Sequence, residues 1–215
     1  MRSDGELVAA WGQGDLAAAR ELVERYYRSV LRFFDLRVGT AAEDLTQRTF
    51  LSCVESRDRL RDAESFRPFL FAIARGLLFN HLRTRRVEDN VFETGDITTA
   101  PAQGPTASRI VSRHEEQVLL LRAIQALPAD VQDLLVLFYW ESFKVAELAD
   151  TFEVGVSTIT TRLARARQAL RDAIGTLPAQ PQSRASLLHD LDAWIGSVPA
   201  LEIAAQLRPA VPTGR

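Results

Sequence analysis

The chain is poor in the groups that catalysis, metal binding and extracellular life depend on. It has one cysteine, Cys53, which excludes an internal disulfide framework. That residue falls on the apolar side of a helix, so a reactive thiol is not expected. Its histidines, His81, His114 and His189, lie far apart, with no cysteine or paired carboxylates at ligand spacing, so neither a metal site nor a cofactor is expected. There is no glycine-rich phosphate loop and no nucleophile motif. The acid pairs Glu43-Asp44 and Glu115-Glu116 are adjacent rather than facing, as solvated helix charge is, and no enzymatic activity is predicted. No apolar run approaches the roughly 20 residues of a membrane span. The opening MRSDGELVAAW lacks the charged-then-apolar pattern of a secretion signal, which predicts a cytoplasmic protein with no membrane insertion.

A strong net charge is missing too. The balance is −2 at pH 7, so any nucleic-acid surface must be local rather than a field of the whole molecule. The charge is unevenly placed. The stretch 57–86 carries Arg57, Arg59, Arg61, Arg67, Arg75, Arg83, Arg85 and Arg86 against Asp58, Asp62 and Glu64, whereas 87–96 holds only acids. An apolar share of 47% and a charged share of 25% are those of a soluble globular chain, and 215 residues can build one large core or two small ones.

Helical periodicity dominates what is present. Asp15 caps a helix whose apolar positions Leu16, Ala19, Leu22, Val23, Tyr26, Val30, Leu31 and Phe34 recur at three and four. Thr40 to Glu43 has capping-box spacing and opens a second helix. In that helix Ala42, Leu45, Thr46, Thr49, Phe50 and Cys53 share one side, while Asp44, Gln47, Arg48 and Leu51 form a stripe on the other, either solvated surface or a docking face. Residues 57–65 read as an exposed connection, with Ser65 capping the helix that follows.

That helix, 66–86, is apolar nearly all round. Phe66, Leu70, Ile73 and Leu77 are assigned to the core, which leaves Phe71, Arg75, Phe79, Leu82 and Arg86 opposite. Aromatics interleaved with arginines are a stacking-plus-phosphate surface for single strands, but a central helix covered on both sides would look the same. Residues 87–108 are polar, acidic at first, rich in Thr, Gly and Pro, and read as a linker. Helices resume near Ile110, with Val118, Leu121, Ile124 and Leu127 inward, and again after Pro128, with Val131, Leu134, Leu135, Phe138 and Tyr139 inward. Trp140 and Trp194 read as packing residues.

The stretch 144–171 carries the clearest local signal. Val145, Leu148, Ala149 and Phe152 form one short apolar face, Glu153-Val154-Gly155 breaks it, and Ile159, Leu163, Ala166 and Leu170 form a second. Two short helices with so brief a connection cross steeply, as in a helix-turn-helix. Ser157, Thr158, Thr161, Arg162, Arg165 and Gln168 then point outward, with hydroxyls able to reach base edges and guanidinium groups able to bind phosphate or guanine. A solvated basic face on an ordinary all-α protein is the plainer alternative.

Taken in order, AEDLTQRTFL at 42–51, RPFLFAIARGLLFNHLRTRR at 67–86, ALPADVQDLLVLFYWE at 126–141 and VAELADTFEVGVSTITTRLARARQALR at 145–171 resemble the bacterial RNA polymerase sigma factors of the extracytoplasmic-function group. The resemblance covers about 15–174. It implies an all-α protein of two small helical domains joined by a flexible linker, the second containing the helix-turn-helix, plus a short helical C-terminal extension. The expected bounds are 1–86, a linker at 87–108, 109–175, and an extension at 176–215 of unassigned role. The implied partners are core RNA polymerase, through the clamp helices and flap, promoter DNA, and an anti-sigma factor. Asp44, Gln47, Arg48 and Leu51 inherit docking onto the clamp helices. Phe69, Phe71, Arg75, Asn80, Arg83, Arg85 and Arg86 inherit the melted minus-ten element. Ser157, Thr158, Thr160, Thr161, Arg162 and Arg165 inherit the minus-thirty-five element, and the linker inherits the RNA exit path.

Three positions depart from the family pattern. Arg48 follows Gln47 where a glutamate is common, Thr160 stands in place of a lysine, and Glu153 in place of a turn glycine, which shifts the expected flexible position to Gly155. A free-standing dimeric helix-turn-helix regulator is the second hypothesis, and it predicts a palindromic operator with half-sites about one helical turn apart.

Overall fold

A computed structural model describes residues 1–60, 62–91 and 110–193, with side chains described except at 36, 85–91 and 110–114. No strand occurs among the described residues. The first unit comprises α1 (Asp4–Gly12), α2 (Leu16–Val38), α3 (Ala42–Glu55) and α4 (Phe66–Val91). The second comprises α5 (Ile110–Gln125), α6 (Ala129–Leu135), α7 (Val145–Phe152), α8 (Val156–Thr176) and α9 (Pro181–His189).

Helix α2 starts where the sequence places it, with the Asp15 carboxylate accepting from the N–H groups of Ala17 and Ala18. Its buried line is Ala18, Leu22, Val30, Phe33 and Phe34; Leu16, assigned to the periodic set, is exposed in the first turn. Helix α1 was not anticipated. Ser3 and Glu6 close a reciprocal capping box, and Leu7 and Trp11 are buried. Its Asp4 accepts from Arg25 at 2.5 Å and from the Tyr26 hydroxyl.

Helix α3 is entered differently from the expectation. A 3-10 turn at Gly39–Ala41 leads into Ala42 without a side-chain cap, so the Thr40 capping box does not form. The inward side of α3 is as predicted, and its buried hydroxyls Thr46 and Thr49 donate to the Ala42 and Leu45 carbonyls at 2.7 Å. Likewise Asp62, not Ser65, supplies the cap before α4, accepting from the Glu64 N–H. Helix α4 runs on through Val91, so the first five residues of the expected linker are helical.

In the second unit, α6 continues through a π-helical stretch at Val136–Trp140, which ends at Ser142 with φ 53°. The 176–215 extension is not an appendage over its described part. Helix α9 packs on α5 and α8 through buried Ser183 and Leu187, followed by buried Leu191. Arg184 donates to the Leu177 carbonyl at 2.6 Å.

The two units touch along α4 and α7. Phe71 of α4 is fully buried, its ring edge-on to Phe33 at 5.7 Å and to Phe143 of the second unit at 5.1 Å. The expectation that Phe71 lies on an exposed face is therefore corrected: α4 is covered on both sides as far as Leu78, with Phe66, Leu70, Phe71, Ala74 and Leu78 buried, while Ile73, Leu77 and Leu82 are only half-buried. No helix among the described residues is long and apolar enough to cross a membrane.

Candidate nucleic-acid interface

The helix-turn-helix forms as the spacing requires. At its entrance Glu147 accepts the Lys144 N–H at 2.7 Å, and α7 buries Leu148, Ala149 and Thr151. The turn contradicts the sequence reading in one respect. Glu153 itself adopts the left-handed conformation, φ 53° and ψ 43°, whereas Gly155 is extended at φ −67° and ψ 151°. The chain thus makes the turn at a non-glycine residue, held by the Val154 N–H donating to the Ala149 carbonyl at 3.0 Å.

Helix α8 buries Ile159, Leu163, Ala166, Leu170 and Ile174. Ser157, Thr158, Thr160, Thr161, Arg162 and Arg165 are all exposed at its N-terminal half. The hydroxyls of Thr160 and Thr161 donate back to the Val156 and Ser157 carbonyls, which leaves their oxygens facing outward as acceptors. The flanking cations are treated differently by the fold. Arg162 and Arg165 project from the helix, whereas Arg167 turns back to donate to the Tyr139 hydroxyl at 2.6 Å and pairs with Asp192 at 3.3 Å. Asp192 lies just beyond α9, so the extension neutralises one arginine of α8 and leaves the outward pair charged.

The α3 stripe is also presented to solvent. Asp44, Gln47, Arg48 and Leu51 are exposed together, Leu51 to 63%. The charge that departs from the family pattern is partnered within the helix, Arg48 lying 3.6 Å from Asp44 one turn away.

The residues expected to meet an opened strand are divided by the structure. Asn80 and Arg83 are exposed, as is the neighbouring Phe79, and Phe69 is half-buried beside Arg59, Asp62 and Ser65. The side chains of Arg85 and Arg86 lie outside the described residues. Phe71 is sealed, as described above. Arg75 reaches into the second unit, 3.2 Å from Asp133, donating to the Thr151 carbonyl at 3.3 Å and lying 3.7 Å over the Phe152 ring.

Other charges complete this contact. Arg37 Nη1 lies 3.0 Å from Asp133 Oδ1, an ion pair without hydrogen-bond alignment, and its Nε and Nη2 have no hydrogen-bond partner among the described residues. Burial lowers the Arg37 guanidinium and raises the Asp133 carboxyl, against the pull of Arg37 and Arg75 on the latter. Arg32 grips Glu141 with two bonds of 3.0 Å, and burial raises the Glu141 carboxyl against that pairing. Arg67 donates to the Glu141 carbonyl, pairs with Glu147 at 3.4 Å and lies 4.1 Å over the Phe143 ring. Sequence reasoning found Arg75 but not these acids, whose positions follow no helical spacing toward the first unit.

Comparison with known proteins places both units. Residues 20–88 match the family Sigma-70 region 2, and residues 117–170 match Sigma-70, region 4. The chain is 29% identical to RNA polymerase sigma-H factor of Pseudomonas aeruginosa, over 82% of this chain and 96% of that one. It is 31% identical to RNA polymerase sigma factor CarQ of Myxococcus xanthus, over 66% of this chain and 79% of that one. It is 28% identical to ECF RNA polymerase sigma factor SigM of Mycobacterium tuberculosis, over 82% and 87% of the two chains. Among solved structures, the sigma factor RpoE from Bartonella quintana, in complex with the anti-sigma factor NepR, superposes with a TM-score of 0.53 at 21% identity, over 74% of this chain and 98% of that one. CnrH in complex with the cytosolic domain of CnrY superposes with a TM-score of 0.57 at 20% identity, over 82% and 100%. At those identities the two structures speak to the fold.

Proposed function

The chain belongs to the RNA polymerase sigma factors of the extracytoplasmic-function group, which direct promoter-specific transcription, and from that membership we propose how its surfaces divide the work. Asp44, Gln47, Arg48 and Leu51 dock onto the clamp helices of core polymerase. Ser157, Thr158, Thr160, Thr161, Arg162 and Arg165 read the minus-thirty-five element in the major groove, where an α-helix fits and arginine can pair with guanine. Phe69, Asn80, Arg83, Arg85 and Arg86 hold the melted minus-ten strand, joined by Phe71 and Arg75 once the units part. The working division is a first domain through the end of α4 at Val91, a linker from there to 108 in the RNA exit path and a second domain from 109, with the flap of core polymerase as that domain's contact. The neighbour RpoE is in complex with an anti-sigma factor, which supports such a partner for this chain as well. The protein acts in the cytoplasm as a non-catalytic specificity subunit.

The observation that carries this reading is the order of two matched sigma regions, one with an exposed docking stripe and the other with an exposed hydroxyl-and-arginine helix. Its test is run-off transcription by purified core polymerase on a genomic fragment library, with and without the protein. Discrete start sites that need the protein are expected. Failure of core polymerase to retain the chain in a pull-down overturns it.

A further inference from the structure

Helix α8 carries four arginines, Arg162, Arg165, Arg167 and Arg171, and among the described residues only Arg167 has an ion-pair partner. That partner, Asp192, belongs to the extension, beyond residue 170 where the match to the second sigma region ends. Three side chains hold the guanidinium. Its Nε donates to the Tyr139 hydroxyl at 2.6 Å and lies 3.3 Å from Asp192, and the same hydroxyl donates to the Asp192 carboxylate. The guanidinium carbon lies 5.4 Å from the centre of the Phe138 ring and 5.6 Å from that of Tyr139.

Its place on the helix gives Arg167 a use beyond packing. It follows Thr160 by seven residues and precedes Arg171 by four, spacings that put all three on one flank of α8. The helix has 21 residues and so runs about 31 Å, against a major groove about 12 Å wide. With its N-terminal half among the base edges, its C-terminal half passes over the sugar-phosphate backbone. A cation on that flank meets phosphate, which positions the helix and carries no sequence information.

We infer that Arg167 is a latent phosphate contact of the promoter-reading helix, held off the DNA by Asp192. The extension thereby sets how tightly the second unit grips the minus-thirty-five region without altering the residues that read it. The inference rests on the reading of α8 given above and adds to it one residue and the group that controls that residue. The pair can be exchanged. The Asp192 side chain is 62% exposed and that of Arg167 29%, and an ion pair so open to water holds weakly. A phosphate offers arginine the same planar recognition as a carboxylate. What keeps the carboxylate in place is proximity, because the buried Leu187 and Leu191 anchor the backbone that carries Asp192.

The experiment uses holoenzyme assembled from core polymerase and the full-length protein, with a fluorescein-labelled duplex carrying a promoter found by run-off transcription, read by anisotropy across a salt series. Asp192→Ala is expected to tighten binding at least threefold at low salt and to steepen the slope of log affinity against log salt by about one, as one added phosphate contact does. Asp190→Ala, which removes an exposed charge two residues away, is expected to change affinity less than twofold and to leave the slope where it was. Arg167→Gln alone is expected to change affinity less than twofold, and added to Asp192→Ala it is expected to abolish the gain. Asp192→Asn provides the same test should circular dichroism show that the alanine variant loses helix. An unmoved slope in the Asp192 variant overturns the inference, as does a gain that survives Arg167→Gln, an equal gain in Asp190→Ala, or weakened binding in Arg167→Gln alone. Arg165→Ala reports separately on the reading of α8. Weakened promoter binding there beside an unmoved slope in the Asp192 variant sinks the latent contact alone, whereas indifference to both substitutions sinks the reading and the inference together.

Discussion

Phe71 and Phe143 meet edge to face across the two units, with 5.1 Å between ring centroids and 78° between planes. Such a pair contributes about 0.5–1.5 kcal/mol beyond its buried area. Phe143→Ala is expected to destabilise the chain by about 3 kcal/mol in urea denaturation, in line with a buried phenylalanine truncated to alanine. A double-mutant cycle with Phe71→Ala is expected to return a coupling near 1 kcal/mol. Strict additivity would mean that the two rings do not meet in solution.

Leu51 stands 63% exposed at the end of a polar stripe, where it adds nothing to the core. Leu51→Asp is expected to change folding stability by less than about 0.5 kcal/mol in urea denaturation, as ordinary surface changes do. The same substitution is expected to cost core-polymerase affinity tenfold or more, measured by competition for labelled core enzyme. Unaltered affinity would remove α3 from the docking surface.

Arg162 and Arg165 are the outward cations in the N-terminal half of α8, and their alanine variants separate two modes of contact. An arginine bidentate to guanine should cost about 1–3 kcal/mol on truncation and relax preference at one base pair. A phosphate contact should instead weaken all sequences alike and lower the salt slope by about one. Holoenzyme binding to a promoter and to its point variants, titrated across salt, assigns each residue. Thr160→Lys is expected to steepen the salt slope by restoring a cation.

Glu153 holds a left-handed backbone that glycine adopts without steric cost. Glu153→Gly is therefore expected to stabilise the second unit by about 1 kcal/mol, the penalty a side chain meets in that conformation. Differential scanning calorimetry measures it. A loss of stability would show that the Glu153 side chain contributes more than the strain it brings.

Burial pushes the Cys53 thiol up from 9.0 to about 12. The fold therefore favours the neutral thiol. Its contribution to stability is complete below pH 9, where the unfolded thiol is also protonated, and is withdrawn progressively as pH climbs toward 12. Urea midpoints measured from pH 8 upward by about one unit at a time should fall, and the part due to this thiol should vanish in Cys53→Ala.

Most of the fold could be read in the residues because it is written locally. The cap at Asp15, the period of α2 and the two apolar faces of α7 and α8 each depend on neighbours within a few positions. What escaped is non-local or short. Helix α1 spans nine residues and binds mainly through Leu7 and Trp11, too few for a period, although Ser3 and Glu6 carried the spacing that could have revealed it. The pattern of α4 could not say what covers its second face. Arginines between aromatics look alike whether carboxylates of the same chain or phosphates of another molecule lie opposite, and Asp133, Glu141 and Glu147 give no sign in sequence that they face α2 and α4. The turn at Glu153 was misassigned to Gly155 because glycine is the cheaper residue for a left-handed position, not the obligatory one.

The docked α9 decides where this polypeptide can be shortened. The match to Sigma-70, region 4 ends at residue 170, which invites a cut there or at Gly175, but such a cut would strip Leu187 and Leu191 from the seam of α5 and α8 and release Arg167 from Asp192. A truncated product would be stickier and would carry an unpaired Arg167 on α8 at once, and its binding to DNA would overstate that of the intact protein.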